Sequence, residues 1–149
     1  NPFNVIADSA FLKGTVRTFD EDTRTLIEKE LENVIKASVT ATDAEYEYEF
    51  IRGYPAVVNH EAETLFLMEA AKSVKDVKLC RVCEPIMGGE DFAYYLNHVK
   101  GCFFFTGAGH TDGQEIYPHH HPKFNFDERA MLIAAKTLGS ATLKYLSEN

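Results

Sequence analysis

The chain has 149 residues, of which 45% are hydrophobic and 26% charged, and its formal net charge at pH 7 is −8. These values exclude a disordered or fibrous chain, and the length corresponds to one ordinary domain or to two small pieces of larger domains. Because nucleic-acid-binding proteins concentrate Lys and Arg on one face, the negative charge and the lack of a basic run argue against a nucleic-acid partner.

The three cysteines indicate a reducing setting, because an odd number in a chain with a full apolar core does not make a disulfide framework. Cys80 and Cys83 have the spacing of a redox or zinc pair, but they lie in an apparent strand, where such cysteines usually pack. We therefore expect a cytoplasmic location. No apolar run is long enough to span a membrane, so no membrane partner is expected. The chain opens on Asn1 without a signal segment, which suggests an excised part of a longer product.

The first part of the chain predicts a strand, a helix and a second strand, which together suggest a small α+β layer. Residues 4–19 alternate between apolar and polar side chains, and residues 20–38 form a helix that opens on short acidic residues. If the two strands share one antiparallel sheet, Lys13 and Arg17 can face the glutamates of the second. That second strand, residues 44–52, has three glutamates on one face and three aromatic rings on the other: Glu45, Glu47 and Glu49 against Tyr46, Tyr48 and Phe50.

A Gly-Tyr-Pro break at residues 53–55 marks a domain boundary or hinge, after which helices and strands alternate. Asn59 fits the N-cap of a helix over residues 60–74, and residues 75–83 return as a strand. A two-glycine loop leads to a short helix at 92–96, and the apolar run 101–106 predicts a strand buried on both faces. A last helix runs from 128 to about 146, with Asp127 as N-cap and a core-facing stripe of Met131, Ala134, Leu138, Ala141 and Tyr145.

Two loops carry a surplus of polar groups. Residues 117–122, Tyr-Pro-His-His-His-Pro, hold three of the six histidines between two prolines, and imidazole is the commonest metal ligand. Neighbouring loop residues rarely all point at one ion, so a metal site and a solvated loop with idle histidines are about equally favoured. In the loop 87–92, Glu90 and Asp91 could orient a metal-bound histidine or act as acid and base. Helix capping is favoured for Asp91 and level with function for Glu90.

Five blocks carry a resemblance that covers nearly the whole chain. They are Asn-Val-Ile-Ala at 4–7, Gly-Thr-Val-Arg-Thr-Phe at 14–19, Tyr-Pro-Ala-Val-Val-Asn at 54–59, Met-Gly-Gly-Glu-Asp-Phe at 87–92, and His-His-Pro-Lys-Phe at 120–124 with Asp-Glu at 127–128. In this order they resemble the C-terminal part of the aminoacylase and carboxypeptidase type metallopeptidases. The most similar branch is that of the amidohydrolases that cleave N-acyl amino acids, which includes the hippurate hydrolases.

The resemblance implies a fold of two parts. Residues 55–149 match the C-terminal segment of an α/β catalytic domain of the zinc aminopeptidase type. Residues 1–54 match the latter part of an inserted α+β, ferredoxin-like lid that makes the homodimer. The resemblance also implies that a pair of divalent ions, zinc or manganese, activates a water that attacks the amide of an N-acyl amino acid or small peptide.

By position, the resemblance implies a metal ligand at His120 and assigns no role to His119 or His121. Arg17 could reach the substrate or pair with the glutamates of its neighbouring strand, and pairing is favoured. The remaining implied site residues are supporting carboxylates at Glu90 and Asp91, and positions near the substrate's carboxylate at Asn59, Gly107 and Gly109.

The resemblance also has a gap. The family's His-x-Cys-Gly-His-Asp block and its Glu-Glu pair, which supply most metal ligands and the general base, do not occur in this chain. We therefore expect a fragment that is inactive by itself and binds no metal pair. The alternative is a non-catalytic binding or dimerisation module built on residues 1–54. A complete small hydrolase that uses only the histidine cluster is the least favoured interpretation.

Overall fold

The computed structural model describes residues 4–148, so residues 1–3 of the predicted lid segment and residue 149 lie outside the described residues. Within that range the chain forms α1 (Glu21–Thr40), α2 (Glu61–Lys72), α3 (Phe92–Leu96) and α4 (Arg129–Glu148). Each helix lies where the sequence predicts one. Among residues 4–148, no helix combines the length and the apolar character needed to cross a membrane.

Helix α1 begins where its sequence predicts because Asp20 caps it. Oδ1 of Asp20 accepts a hydrogen bond from the backbone N–H of Thr23 at 2.7 Å, and Oδ2 accepts one from the Thr23 hydroxyl at 2.8 Å. The backbone bond is the main cause of a lowered pKa of the Asp20 carboxyl. A short acidic side chain at this position satisfies an otherwise free N–H group and complements the helix dipole.

Residues 44–52 lie along α1. The three rings of this segment are half-buried and its three glutamates are exposed, which confirms the predicted alternation of faces. The Tyr48 hydroxyl donates to the carbonyl of Glu28 at 3.0 Å, and the guanidinium of Arg52 pairs with the Glu28 carboxylate. Nη2 of Arg24 donates to the carbonyl of Gly53 at 2.9 Å. These contacts fix the end of the segment against the helix.

Helix α2 packs against α4, and this contact holds most of the buried side chains. The predicted stripe on α4 is only partly right, because Ala141 is buried while Met131, Leu138 and Tyr145 are more than half exposed. Small side chains let two helix backbones approach closely, and the larger ones are left beside the contact. The buried residues of this helix pair are Ala70 and Ala71 in α2, Val74 just after it, and Ala130, Thr137 and Ala141 on α4.

The predicted strands do not pair into a sheet within residues 4–148, so the β parts of the expected α/β and α+β layers are not formed there. A strand needs a neighbouring edge that offers backbone N–H and C=O groups. Side chains that a sheet would bury are instead exposed, including Phe11 at 89% and Leu79 at 74%. The prediction that residues 101–106 are buried on both faces is wrong for Phe105, which is 65% exposed.

Candidate functional site

A turn at residues 118–121 carries the three consecutive histidines. It is closed by a hydrogen bond from the backbone N–H of His121 to the carbonyl of Pro118 at 3.2 Å. His120 occupies the third position of the turn with a φ of 70°. A left-handed φ at this position normally selects glycine or asparagine, and another residue adopts it at a cost of about 1 to 3 kcal/mol. Strained backbone conformations cluster at functional sites, so the φ of His120 indicates a functional role for this residue.

The two neighbours of His120 are engaged by aromatic rings. His121 stacks on Tyr117 with ring centroids 4.5 Å apart and planes inclined by 10°, and its Nδ1 accepts from the backbone N–H of Lys123 at 3.1 Å. His119 packs on Phe124 with centroids 4.6 Å apart. Within residues 4–148, the His120 ring makes no hydrogen bond, ion pair or ring contact, which leaves its nitrogen atoms available to a ligand outside this segment.

A complete metal site is not assembled by the described residues. Across residues 4–148, no group of three His, Cys, Asp or Glu side chains is placed to hold a metal ion. A pair of divalent ions needs several such ligands in one place. The residues present therefore do not fit a whole metal pair, and the structure does not bring His120 together with Glu90 and Asp91 as one set of ligands.

The two carboxylates at the start of α3 differ in how they contact the helix. Asp91 is the residue before the helix, but its side chain makes no capping hydrogen bond. Oε1 of Glu90 accepts instead from the backbone N–H of Phe92 at 3.3 Å. Asp91 thus occupies the predicted cap position, but the side-chain hydrogen bond to the start of the helix comes from Glu90. The supporting role of these carboxylates in a site stays a prediction.

Asn59 joins the start of α2 to residues 101–103, and its predicted place as an N-cap is wrong because the cap position belongs to His60. Its Nδ2 donates to the carbonyl of Phe103 at 2.8 Å, and its Oδ1 accepts from the backbone N–H of Phe103 at 2.8 Å. The side-chain amide thus makes both bonds that a neighbouring strand would make. These bonds occupy the amide, and contact of Asn59 with a substrate stays a prediction.

The glycine loop 107–109 is fixed to the start of α4. The backbone N–H of Asp127 donates to the carbonyl of Ala108 at 2.9 Å. A Cβ atom on Gly109 would lie 3.1 Å from Cδ1 of Ile116, whereas one on Gly107 would meet nothing within 4 Å. A side chain at position 109 would therefore require Ile116 to move slightly, whereas one at position 107 would enter open space. Their proximity to a bound substrate remains a prediction from the resemblance.

Arg17 lies against the two-glycine loop rather than against the glutamates at 45–49. A Cβ atom on Gly89 would lie 3.4 Å from Nη1 of Arg17 and 3.5 Å from Cδ2 of Tyr54. Neither Arg17 nor Lys13 forms an ion pair with any residue in the range 4–148. The favoured pairing of these cations with the glutamates is therefore wrong, since no sheet aligns the two segments.

Asp127 closes the histidine segment at the start of α4. Its carboxylate accepts from the side chain of Arg129, with Nε at 2.8 Å from both oxygens, and from the Arg129 backbone N–H at 3.0 Å. These hydrogen bonds lower the pKa of Asp127 from 3.8 to about 2, and His110 adds a smaller electrostatic contribution. Asp127 thus binds the first N–H of α4 through its side chain, but the helix begins at Arg129, so Asp127, the predicted N-cap, lies one residue before the observed cap position.

The lowered pKa of Asp127 predicts how the stability of the fold changes at acid pH. Because the folded pKa is below the unfolded one, the stabilisation from Asp127 is fully present above pH 3.8 and is lost as the pH falls toward about 2. We expect the carboxyl carbon of Asp127 to titrate near pH 2 by NMR, and nearer to 3.8 in an Arg129→Ala variant. A midpoint that Arg129→Ala leaves unchanged would contradict the assigned cause.

Two residues of this region, Tyr117 and His110, are not indicated by the predicted site. Tyr117 begins the histidine segment, and an aromatic residue four positions before a histidine is a signal that could have indicated the ring stack. Nε2 of His110 is buried and has no hydrogen-bond partner among residues 4–148. No sequence signal distinguishes His110, because its burial depends on how the loop 107–113 folds onto the start of α4.

Comparison with known proteins places these observations in a family. The Peptidase family M20/M25/M40 profile matches residues 5–144 of the chain. The chain is 55% identical over 145 residues to YhaA of Bacillus subtilis (strain 168), assigned as an amidohydrolase. The aligned region covers 97% of this chain and 37% of that protein. It is 35% identical over 149 residues to the N-acetyl-L-cysteine deacetylase of the same organism, covering 99% of this chain and 34% of the relative.

A further relative is the N-acetyldiaminopimelate deacetylase of Streptococcus sanguinis (strain SK36), 36% identical over 137 residues, covering 91% of this chain and 35% of that protein. A crystal structure assigned as an aminohydrolase from methicillin resistant Staphylococcus aureus aligns with a TM-score of 0.72 and 36% identity, covering 85% of this chain and 32% of that chain. The chain thus spans little more than a third of the length of the relatives it matches. It belongs to peptidase family M20/M25/M40 and corresponds to part of an aminohydrolase fold.

Proposed function

We propose that this chain is part of a metal-dependent amidohydrolase that hydrolyses the amide bond of N-acyl amino acids or small peptides. The observation that carries the proposal is the turn at 118–121. Of three adjacent histidines, His119 and His121 pack on aromatic rings, while His120 keeps a strained left-handed backbone and a ring without a partner among residues 4–148. We assign His120 as a metal ligand and expect the other ligands and the general base to come from outside this chain.

The names of the relatives support the substrate class. N-acetyl-L-cysteine and N-acetyldiaminopimelate are both N-acetylated amino acids, and each is the substrate that a relative's name states. The proposed arrangement divides the chain into a lid segment, residues 1–54, and a catalytic-domain segment, residues 55–149. In the full-length protein the segments without a sheet partner would pair with strands outside this chain, which would restore the expected α/β and α+β layers. Zinc or manganese is the expected pair of ions.

Arg17 is the residue that we assign to the carboxylate of the substrate. It lies beside Gly89 and has no anionic partner within residues 4–148. A free guanidinium binds a carboxylate through two parallel hydrogen bonds, a geometry that lysine cannot reproduce. Its guanidinium belongs to the lid segment and lies beside the loop that carries Glu90 and Asp91. From this position the cation would reach the carboxylate of an amino acid bound at that loop.

The test uses the full-length protein with N-acetyl amino acids as substrates. We expect hydrolysis that a chelator abolishes and that zinc or manganese restores. Arg17→Ala should raise KM about 10- to 100-fold, because a hydrogen bond to a charged group is worth about 1.5 to 3 kcal/mol. The same variant should leave the KM for an N-acetyl amino acid amide unchanged, and Lys13→Ala should resemble the parent protein. An unchanged KM for the carboxylate substrate would contradict this assignment.

The alternative is a non-catalytic dimerisation or binding module formed by residues 1–54. The specific observation in its favour is that α1 buries none of its side chains, with Leu26 and Val34 exposed at 58% and 62%. The same preparation separates the two proposals. A protein that sediments as a dimer but hydrolyses no N-acetyl amino acid would favour the module, whereas a folded monomer at high concentration would count against it.

A further inference from the structure

Tyr117, which directly precedes the turn carrying His120, contacts residues on both sides of that turn. Its ring stacks on His121 at 4.5 Å, and Nζ of Lys123 lies 5.6 Å from the same ring. Its hydroxyl donates a hydrogen bond to the Glu115 carboxylate. The ring therefore has a neighbour on its face and an anchor at its hydroxyl, although the surrounding segment is largely exposed.

Both the ring and the backbone of His121 are held by hydrogen bonds to neighbouring residues. The ring atom Nδ1 of His121 accepts from the backbone N–H of Lys123. The backbone N–H of His121 donates to the carbonyl of Pro118 at 3.2 Å, and its backbone carbonyl accepts from the N–H of Phe124 at 2.8 Å. These bonds determine the position of the residue that follows His120. Tyr117 and His121 are the residues that flank the 118–120 part of the turn, so their stack ties the two ends of the turn together.

We propose that Tyr117 is a positioning residue that holds the turn at 118–121 in the conformation in which His120 has a positive φ. This inference rests on the proposed role of His120 and names the residue that keeps it in place. A left-handed histidine returns to ordinary backbone angles unless its surroundings prevent this, and the turn itself has a single hydrogen bond from His121 to Pro118. The ring stack supplies an additional restraint at both ends of the turn.

The experiment uses the full-length protein labelled with 13C and 15N only at histidine, so that this chain contributes six Cα signals. Tyr117→Leu removes the stack, and Tyr117→Phe keeps the stack but removes the bond to Glu115. We expect Tyr117→Leu to shift the Cα signal of His120, which His120→Asn identifies by its loss, and to leave the His60 and His98 signals unchanged. Tyr117→Phe should leave the His120 signal near its original position.

Activity provides a second measurement. We expect Tyr117→Leu to lower kcat/KM for N-acetyl amino acids by roughly tenfold, the effect typical of residues that orient a metal ligand, and Tyr117→Phe to recover most of it. Phe66→Leu, which removes an edge contact with Tyr145 outside the turn, is the control for a general loss of aromatic packing. His121→Leu removes the same stack from the other side and should reproduce Tyr117→Leu, while His121→Phe keeps an aromatic ring for the stack, loses only the bond to Lys123, and should have a smaller effect.

An unchanged His120 signal in both Tyr117→Leu and His121→Leu would overturn the positioning role. Equal shifts in Tyr117→Phe and Tyr117→Leu would also overturn it, because the effect would then belong to the hydroxyl. Failure of the proposed function gives a different result: His120→Asn would keep its metal and its activity. The NMR result is independent of activity, so the two failures are distinguishable.

Discussion

Replacing His120 with glycine is expected to stabilise the chain while removing its proposed ligand, so stability and activity should change in opposite directions. Glycine adopts a φ of 70° freely, whereas a residue with a Cβ atom pays about 1 to 2 kcal/mol there. Part of that gain is lost because an unfolded glycine has more conformational freedom. We expect a net stabilisation of a few tenths of a kcal/mol to about 1 kcal/mol in urea unfolding.

The activity of the full-length protein should fall by more than about 100-fold in His120→Gly, since even residues that only support a metal ligand are worth 10- to 100-fold. His120→Ala is the matched control, because it removes the imidazole but retains the Cβ atom and hence the strain. It should be as inactive as His120→Gly and less stable. Retention of bound metal and hydrolysis by both variants would show that His120 is not a ligand. His120→Gly being no more stable than His120→Ala would show that the turn is not strained.

Replacing Asn59 with alanine is expected to give the largest loss of stability among the substitutions considered. The variant loses both hydrogen bonds to the backbone of Phe103, each 2.8 Å long, and leaves a peptide N–H and C=O without their partner. Each bond contributes about 1 kcal/mol, so the free energy of unfolding should fall by about 1 to 3 kcal/mol. The loss is at the lower end if water reaches the peptide groups of Phe103 and at the upper end if they stay buried. Equilibrium unfolding in urea measures it directly.

Two further variants sharpen this prediction. Asn59→Asp keeps the acceptor for the N–H of Phe103 but replaces the donor with an oxygen that faces the Phe103 carbonyl. It should be as damaging as alanine at neutral pH and less so where the carboxyl is protonated and can donate. Asn33→Ala on α1 removes only a 3.4 Å contact with Glu30 and should change stability little. Equal unfolding midpoints for Asn59→Ala and Asn33→Ala would contradict the proposed bridge.

The helices could be predicted because their signals are local. The acidic start of α1 and the apolar spacing of α2 and α4 act within a few residues, so helix positions were predicted to within about two residues. The strands required partners far away in sequence, and these are not provided within residues 4–148. Asn59 shows the same limit. Its side-chain amide binds the backbone of Phe103, 44 positions away in the sequence, and therefore does not cap the helix.

The candidate site was predictable only through family resemblance. Composition and spacing gave three equivalent histidines, and the resemblance alone selected His120. The geometric difference among them depends on backbone angles and ring stacks that no count of residue types contains. The ion pair between Asp127 and Arg129 was missed for a related reason. A helix cap is a local pattern, but the direction of a long flexible guanidinium is decided by the folded surroundings.

The contact between α2 and α4 has a consequence for the order of folding events. Ser73 and Ser140, whose hydroxyl oxygens lie 2.9 Å apart, are separated by 67 positions in the sequence, so the buried helix pair closes a long loop. Forming such a contact requires the intervening chain to lose freedom before any apolar surface is buried, which slows folding. During synthesis, α2 emerges well before its partner. It must therefore remain uncovered, or be held by another surface, until residues 129–148 have left the ribosome.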